Sequence, residues 1–206
     1  MENRMSNVDA YEINTTRRNM LTAATGVMGA VGATFVAVPF VGSWLPSEKA
    51  KAAGAPVDVD ISKLQPGQML TVSWRGKPVW VVRRTPDMLK ILPTLVGLLR
   101  DGLSESSEQP AYAKNEFRST KPEFLVVVGV CTHLGCAPLY RPAVNSADMA
   151  PNWRGGFFCP CHGSSFDLAG RVFQGVPAPT NLVIPPHNFL TDSIVRIGED
   201  PTEGAV

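Results

Sequence analysis

Residues 20–41, MLTAATGVMGAVGATFVAVPFV, form an apolar run without a single charge. Wound as a helix, a run of that length rises about 33 Å, enough to cross a hydrocarbon core of roughly 30 Å. The pattern predicts one transmembrane helix over 20–41, with Gly and Ala permitting close approach of a partner helix and Pro39 able to kink its far end. A buried core helix is the other reading of an apolar run, and the unbroken length argues against it. Downstream the period changes to two. QMLTVSW (68–74) and KPVWVVRR (77–84) read as strands joined by a turn at Gly76, and EFLVVVGV (123–130) reads as a third strand. RVF (171–173), NLVI (181–184), NFL (188–190) and SIVRIG (193–198) read as further short strands cut by Gly, Pro and Asp. TPDMLKILPTLVGLLRD (85–101) departs from this, with apolar residues at helical spacing, Pro86 at the start, and Pro93 and Gly97 weakening the middle. It predicts a helical insertion on a β core. SESSEQ (104–109) reads as a solvated loop.

The flanks of the apolar run refine the picture. Arg17 and Arg18 in TTRRNML precede it and resemble a twin-arginine export signal; ordinary positive-inside charge is the other reading. AKAA (50–53) offers a site for signal cleavage, but the run is longer than the roughly 7–15 residues of a typical signal core, which favours a retained anchor. Trp44 is placed as an interfacial anchor, and Ala, Gly and Lys dominate the stretch after it. The chain thus divides into a cytoplasmic N-terminus (1–19), an anchor (20–41), a flexible neck (42–56), which is either a hinge or a spacer, and a head (57–206). Eighteen Gly and eighteen Pro fit a loop-rich β head, and a net charge of +1 gives no field for nucleic acid.

All four cysteines and two of the three histidines lie in CTHLGC (131–136) and CPCHGS (159–164). A c-type haem needs C-x-x-C-H, which neither stretch supplies. Zinc wants four Cys or His ligands, usually on closely spaced Cys knuckles that are absent here, although a zinc-stabilised binding module remains an alternative. Two plain disulfides leave both histidines unexplained, and a cysteine nucleophile with a histidine base explains one motif only. A [2Fe–2S] centre with two Cys and two His ligands draws on both stretches.

CTHLGC…CPCHGS resembles the Rieske iron–sulfur subunits of ubiquinol–cytochrome c reductases, as does the order of leader, anchor, neck and β-rich head. GVPAP (175–179) is similar to that family's proline-rich loop. The resemblance implies a mainly β fold: an antiparallel Rieske-type head with a small cluster-binding subdomain (loops within 131–179), one helical insertion and the single N-terminal membrane helix. It implies one [2Fe–2S] cluster, with Cys131 and Cys159 on the inner iron and His133 and His162 on the exposed one, and a Cys136–Cys161 disulfide. Ser164 would donate to a bridging sulfide, Leu134 would shield the cluster, and Gly135, Gly163, Gly175, Pro177 and Pro179 would surround it. Phe166 stands where high-potential members carry a Tyr that bonds a ligand sulfur, so a top-of-range potential is not expected. His187 has no implied role beyond packing. The implied function is electron transfer from quinol at a cytochrome b subunit, with proton transfer through His162 or His133, to a c-type cytochrome by movement of the head. The implied setting is a dimeric complex in the lipid of a bacterial inner membrane, N-terminus cytoplasmic and head periplasmic. The Rieske subunit of another exported oxidoreductase, such as arsenite oxidase, is the nearest alternative. A dioxygenase ferredoxin would lack the two extra cysteines and the anchor.

Overall fold

The computed structural model describes residues 14–146, 148–149 and 153–201; residues 1–13 of the expected cytoplasmic segment lie outside that description. The chain falls into two units, 1–49 and 50–206.

The first unit is built on helix α1 (Thr15–Gly42), whose apolar composition makes it a candidate membrane span or signal helix. It starts five residues before the apolar run because Asn14 caps it, its side chain accepting from the Arg17 N–H at 2.9 Å. The hydroxyls of Thr22, Thr25 and Thr34 each donate to the carbonyl four residues back at 2.9 Å, so they need no water. Arg17 and Arg18 occupy the first turn with no acidic residue beside them, where the helix dipole disfavours cations. Helix stability therefore does not account for the pair. α2 (Glu48–Gly54) falls within the neck expected to be flexible. Its sequence, EKAKAAG, is made mostly of strong helix formers, with Glu at the start and Lys near the end, so part of the neck is helical.

Among its described residues the second unit has nine strands: β1 (Val57–Asp60), β2 (Met69–Trp74), β3 (Lys77–Arg83), β4 (Phe124–Val128), β5 (Leu139–Arg141), β6 (Gly156–Cys159), β7 (Ser164–Phe166), β8 (His187–Phe189) and β9 (Ile194–Ile197). They pair in three antiparallel sheets ordered β1-β9-β8, β2-β3-β4 and β5-β6-β7. The Arg75–Gly76 turn joins β2 to β3, with Trp74 opposite Lys77. β4 explains why its sequence is apolar without alternation. Leu125 and Val127 enter one core, while Phe124, Val126 and Val128 enter another with Val195 and Ile197 of β9. The first core also holds Cys131, Cys159, Phe157 and Phe166, so the sheet ends directly beneath the cysteines.

The insertion forms α3 (Pro86–Ile91), capped by Thr85, and continues as a 3-10 helix (Leu92–Leu98), as Pro93 and Gly97 disfavour an α-helix there. Three sequence expectations are corrected beyond it. NLVI forms no strand: Leu182 N–H bonds Gly170 O, the Val183 carbonyl accepts from Val128 N–H, and Ile184 N–H bonds Glu108 O, so its partners lie in three separate segments. RVF makes isolated bridges only, Val172 with Phe166 and Phe173 with Leu99. SESSEQ is not simply solvated, because Ser104 and Ser107 are buried and hydrogen-bonded. Polar sequence hides that burial. Arg84, Arg118 and Arg171 are also fully buried. Arg84 donates to Pro122, Phe117 and Leu168 carbonyls and to Ser119, and burial pushes its guanidinium down to about 9 against the pull of Asp167. Arg171 forms a buried ion pair with Asp167 at 2.7 Å.

Candidate metal centre

The two motif loops are built alike. Cys131 follows β4 by three residues, and Cys159 ends β6. In each loop the glycine four residues after the cysteine turns back: Gly135 N–H donates to Cys131 O and Gly163 N–H to Cys159 O, both at 3.0 Å. Gly135 (φ 83°) and Gly163 (φ 75°) are left-handed, and a Cβ at either would meet nothing within 4 Å. Glycine is there for the sign of φ, not for space. Cys131 N–H closes the first loop onto Cys136 O at 2.7 Å, and Cys159 pairs with Ser164 across the second.

These turns bring the named side chains together. Cys136 and Cys161 form the disulfide that joins the loops. Cys131 (3% exposed) and Cys159 (2%) are free thiols in one core. The His133 and His162 rings meet edge to face, centroids 4.7 Å apart, with His133 half-buried and His162 exposed. Leu134 beside them is 71% exposed. Burial pushes the Cys159 thiol up, helped by the adjacent Cys131, while the N–H groups of Cys161 and His162 act on its sulfur in the opposite direction. The buried Cys159 thiol is a poor thiolate until a cation joins it.

The third wall is the loop at 175–180. Ala178 N–H donates to the Ser164 hydroxyl at 3.0 Å, and the Thr132 hydroxyl donates to Thr180 O at 2.7 Å. Gly175, Pro177 and Pro179 are exposed, and Ala178 is buried. Because Ser164 accepts from Ala178, its own hydrogen remains available. Phe166 is fully buried in the core that contains both free cysteines. His187 lies outside this group, buried, with Nδ1 2.8 Å from Pro185 O. Thr132 and Thr180 went unnoticed in the sequence; threonine beside a motif gives no signal of its own.

The donors fit an iron–sulfur cluster. His133 Nδ1 is buried and has no hydrogen-bond partner among the described residues, a situation that costs about 1–3 kcal/mol unless something else takes its lone pair. That nitrogen and the two buried thiols are three of the four donors that a cluster with two Cys and two His ligands requires, and the adjoining His162 ring offers the fourth. A zinc site fits worse: Cys136, Cys159 and Cys161 bring their sulfurs within 4.8 Å, but two of the three are bonded to each other.

Comparison with known proteins agrees. The family model "Rieske [2Fe-2S] domain" matches residues 55–186, and "Ubiquitinol-cytochrome C reductase Fe-S subunit TAT signal" matches 9–47. The ubiquinol-cytochrome c reductase iron-sulfur subunit of Allochromatium vinosum is 58% identical over 94% of this chain and 93% of that protein. Its counterpart in Blastochloris viridis is 44% identical over 89% and 93%. A chain of the solved "Hyperthermophilic respiratory Complex III" is 29% identical, covers 84% of this chain and 98% of that chain, and aligns with a TM-score of 0.46. Fold and site define a Rieske-type module whose cofactor is a [2Fe–2S] cluster. Within that class the chain belongs to the family of ubiquinol–cytochrome c reductase iron–sulfur subunits.

Proposed function

We propose that this chain carries single electrons in a ubiquinol–cytochrome c reductase, from a quinol held by the cytochrome b subunit to the c-type cytochrome subunit. α1 anchors it in a bacterial inner membrane with its N-terminus cytoplasmic, and the head faces the periplasm within a dimeric complex. The carrying observation is the graded burial of the site: two thiols inside, and two touching imidazoles of which one is exposed.

In this reading Cys131 and Cys159 hold one iron, and His133 and His162 hold the other. Bound there, a [2Fe–2S] cluster supplies a one-electron acceptor in the range of roughly −150 to +300 mV, against about −400 mV for plant-type ferredoxins. The remaining work belongs to side chains. His162 offers its solvent-facing ring nitrogen to the quinol hydroxyl, first accepting the hydrogen bond and then holding the proton. His133, half-buried, fixes the edge against which the His162 ring rests. Leu134 adds exposed apolar surface next in the chain, which removes water from a docked partner. The disulfide suits an oxidising exported compartment.

The test is His162→Ala in the full-length protein. It should lose the Rieske EPR signal of the reduced state together with quinol oxidation, while the β head stays folded by circular dichroism. A variant that keeps both its iron and that signal would refute the ligand set.

A further inference from the structure

The insertion after α3 has no part in the reading above, yet its hydrogen bonds converge on one place. Leu98 O accepts from Gln174 N–H at 2.9 Å, and Leu99 O accepts from the Gln174 side chain at 3.1 Å. Arg100 N–H donates to Val172 O at 2.9 Å, and its guanidinium reaches Val176 O at 2.9 Å. On the far side of the 175–180 loop, Asn181 donates to Asp101 O (2.9 Å) and to the Ser104 hydroxyl (3.0 Å), and its N–H donates to the Ser107 hydroxyl (3.0 Å). Asp101 holds that stretch in shape, its carboxylate accepting from Glu105 N–H, Ser106 N–H and the Ser107 hydroxyl. The loop is thus gripped just before Gly175 and just after Thr180 by one segment, 98–107.

We infer that the 98–107 segment is a clamp that positions the proline loop against the cluster loops, with Arg100 as its positioning residue. The route runs from Arg100 to Val176, along two residues to Ala178, and through the Ala178 N–H to the Ser164 hydroxyl. A hydroxyl whose lone pair is fixed by Ala178 has its own hydrogen aimed elsewhere, and Ser164 opens β7 opposite Cys159, at the end of the second cysteine loop. Arg100 therefore acts on the metal centre through a neighbour, without touching it. Pro177 and Pro179 stiffen the lever, because their rings fix φ. Arg100 is exposed, so losing its side chain need not unfold the head. The inference rests on the proposed function only in its second readout.

Two measurements on the full-length chain, purified with its cluster, test it. Pro177 and Pro179 have no amide hydrogen, so hydrogen–deuterium exchange in a peptide covering 175–180 reports on Gly175, Val176, Ala178 and Thr180. Arg100→Ala should speed that exchange about two- to tenfold, the range for one net hydrogen bond, Arg100→Lys should restore most of the protection, and Lys114→Ala should change nothing. The reduction equilibrium should also shift about twofold against the reduced state in Arg100→Ala, which is roughly 18 mV. In a Ser164→Ala background the same substitution should leave the potential where it is. Wild-type exchange in Arg100→Ala overturns the clamp, and additive potential shifts in the double variant overturn the route through Ser164. Failure of the underlying reading shows separately, as a wild-type chain without a histidine-ligated cluster signal, and the exchange experiment still decides the clamp in that case.

Discussion

The two motif loops are near copies in backbone and opposites in setting. Each starts at a buried cysteine and turns on a left-handed glycine four residues later, and each gives one cysteine to the disulfide. The first follows β4, a strand buried on both faces, and its histidine keeps Nδ1 away from water. The second is the tip of the β6–β7 hairpin, and its histidine is exposed. The same local turn thus leaves one imidazole half-buried and the other exposed. Chemical asymmetry comes from where each turn is mounted, not from the motif.

The comparison breaks most visibly if the cysteines are not divided by role. Cys131→Ser and Cys159→Ser should each abolish iron binding, measured as iron and acid-labile sulfide per chain. Cys136→Ser should start with full iron and lose it faster, with a folding penalty of about 3 kcal/mol for a bridge spanning 25 residues, read from denaturant melts. Immediate loss of iron in Cys136→Ser, equal to that in Cys131→Ser, would show the two roles to be exchanged.

The third histidine sharpens the contrast between held and exposed imidazoles. Burial pushes His187 below its usual 6.5, against the opposing pull of Pro185 O and Asp200. Around it lie the ring of Tyr112, whose hydroxyl accepts the His187 N–H and donates to Asp200, and the ring of Phe189. A depressed folded value means that the unfolded chain takes the proton first. Its contribution is therefore complete above about pH 6.5 and is lost as pH falls from there through the lower folded value. His187→Gln should flatten the fall in melting temperature across that window, and an unchanged slope would assign the fall to other groups.

The smallest effect concerns Phe166, which belongs to the second loop's strand but packs in the core of both free cysteines. A hydroxyl there that donates to a ligand sulfur favours the more negative reduced state. Phe166→Tyr should raise the potential by roughly 20–65 mV, from a differential of about 0.5–1.5 kcal/mol. It should do so without loss of stability. An unmoved potential together with a loss of about 1–3 kcal/mol would mean that the new hydroxyl is buried without a partner.

What was legible in the sequence was local. An uncharged run of 22 residues can only be satisfied internally as a helix, a two-residue turn joins two apolar runs at Gly76, and the motif loops announce themselves by spacing. Segments whose partners are distant gave no such signal. NLVI has the composition of a strand, but its backbone bonds go to three different segments, and no single-sequence period encodes that. Ser104 and Ser107 look solvated because their burial depends on Asn181, some 75 residues on. Nothing local in the sequence marks Arg84, Arg118 and Arg171 for burial, because carbonyls that receive them lie in distant segments.

The Cys136–Cys161 bond also has a topological meaning. It closes the backbone between those residues into a covalent ring that contains β5 and β6, and both motif loops meet at its junction. The proline loop lies outside the ring, fastened by hydrogen bonds and by the burial of Ala178, with no covalent cross-link of its own. Parting the two loops requires breaking a covalent bond, whereas lifting the proline loop does not. The site therefore has one wall that no covalent cross-link secures, and the order of residues along the chain fixes which side it is on.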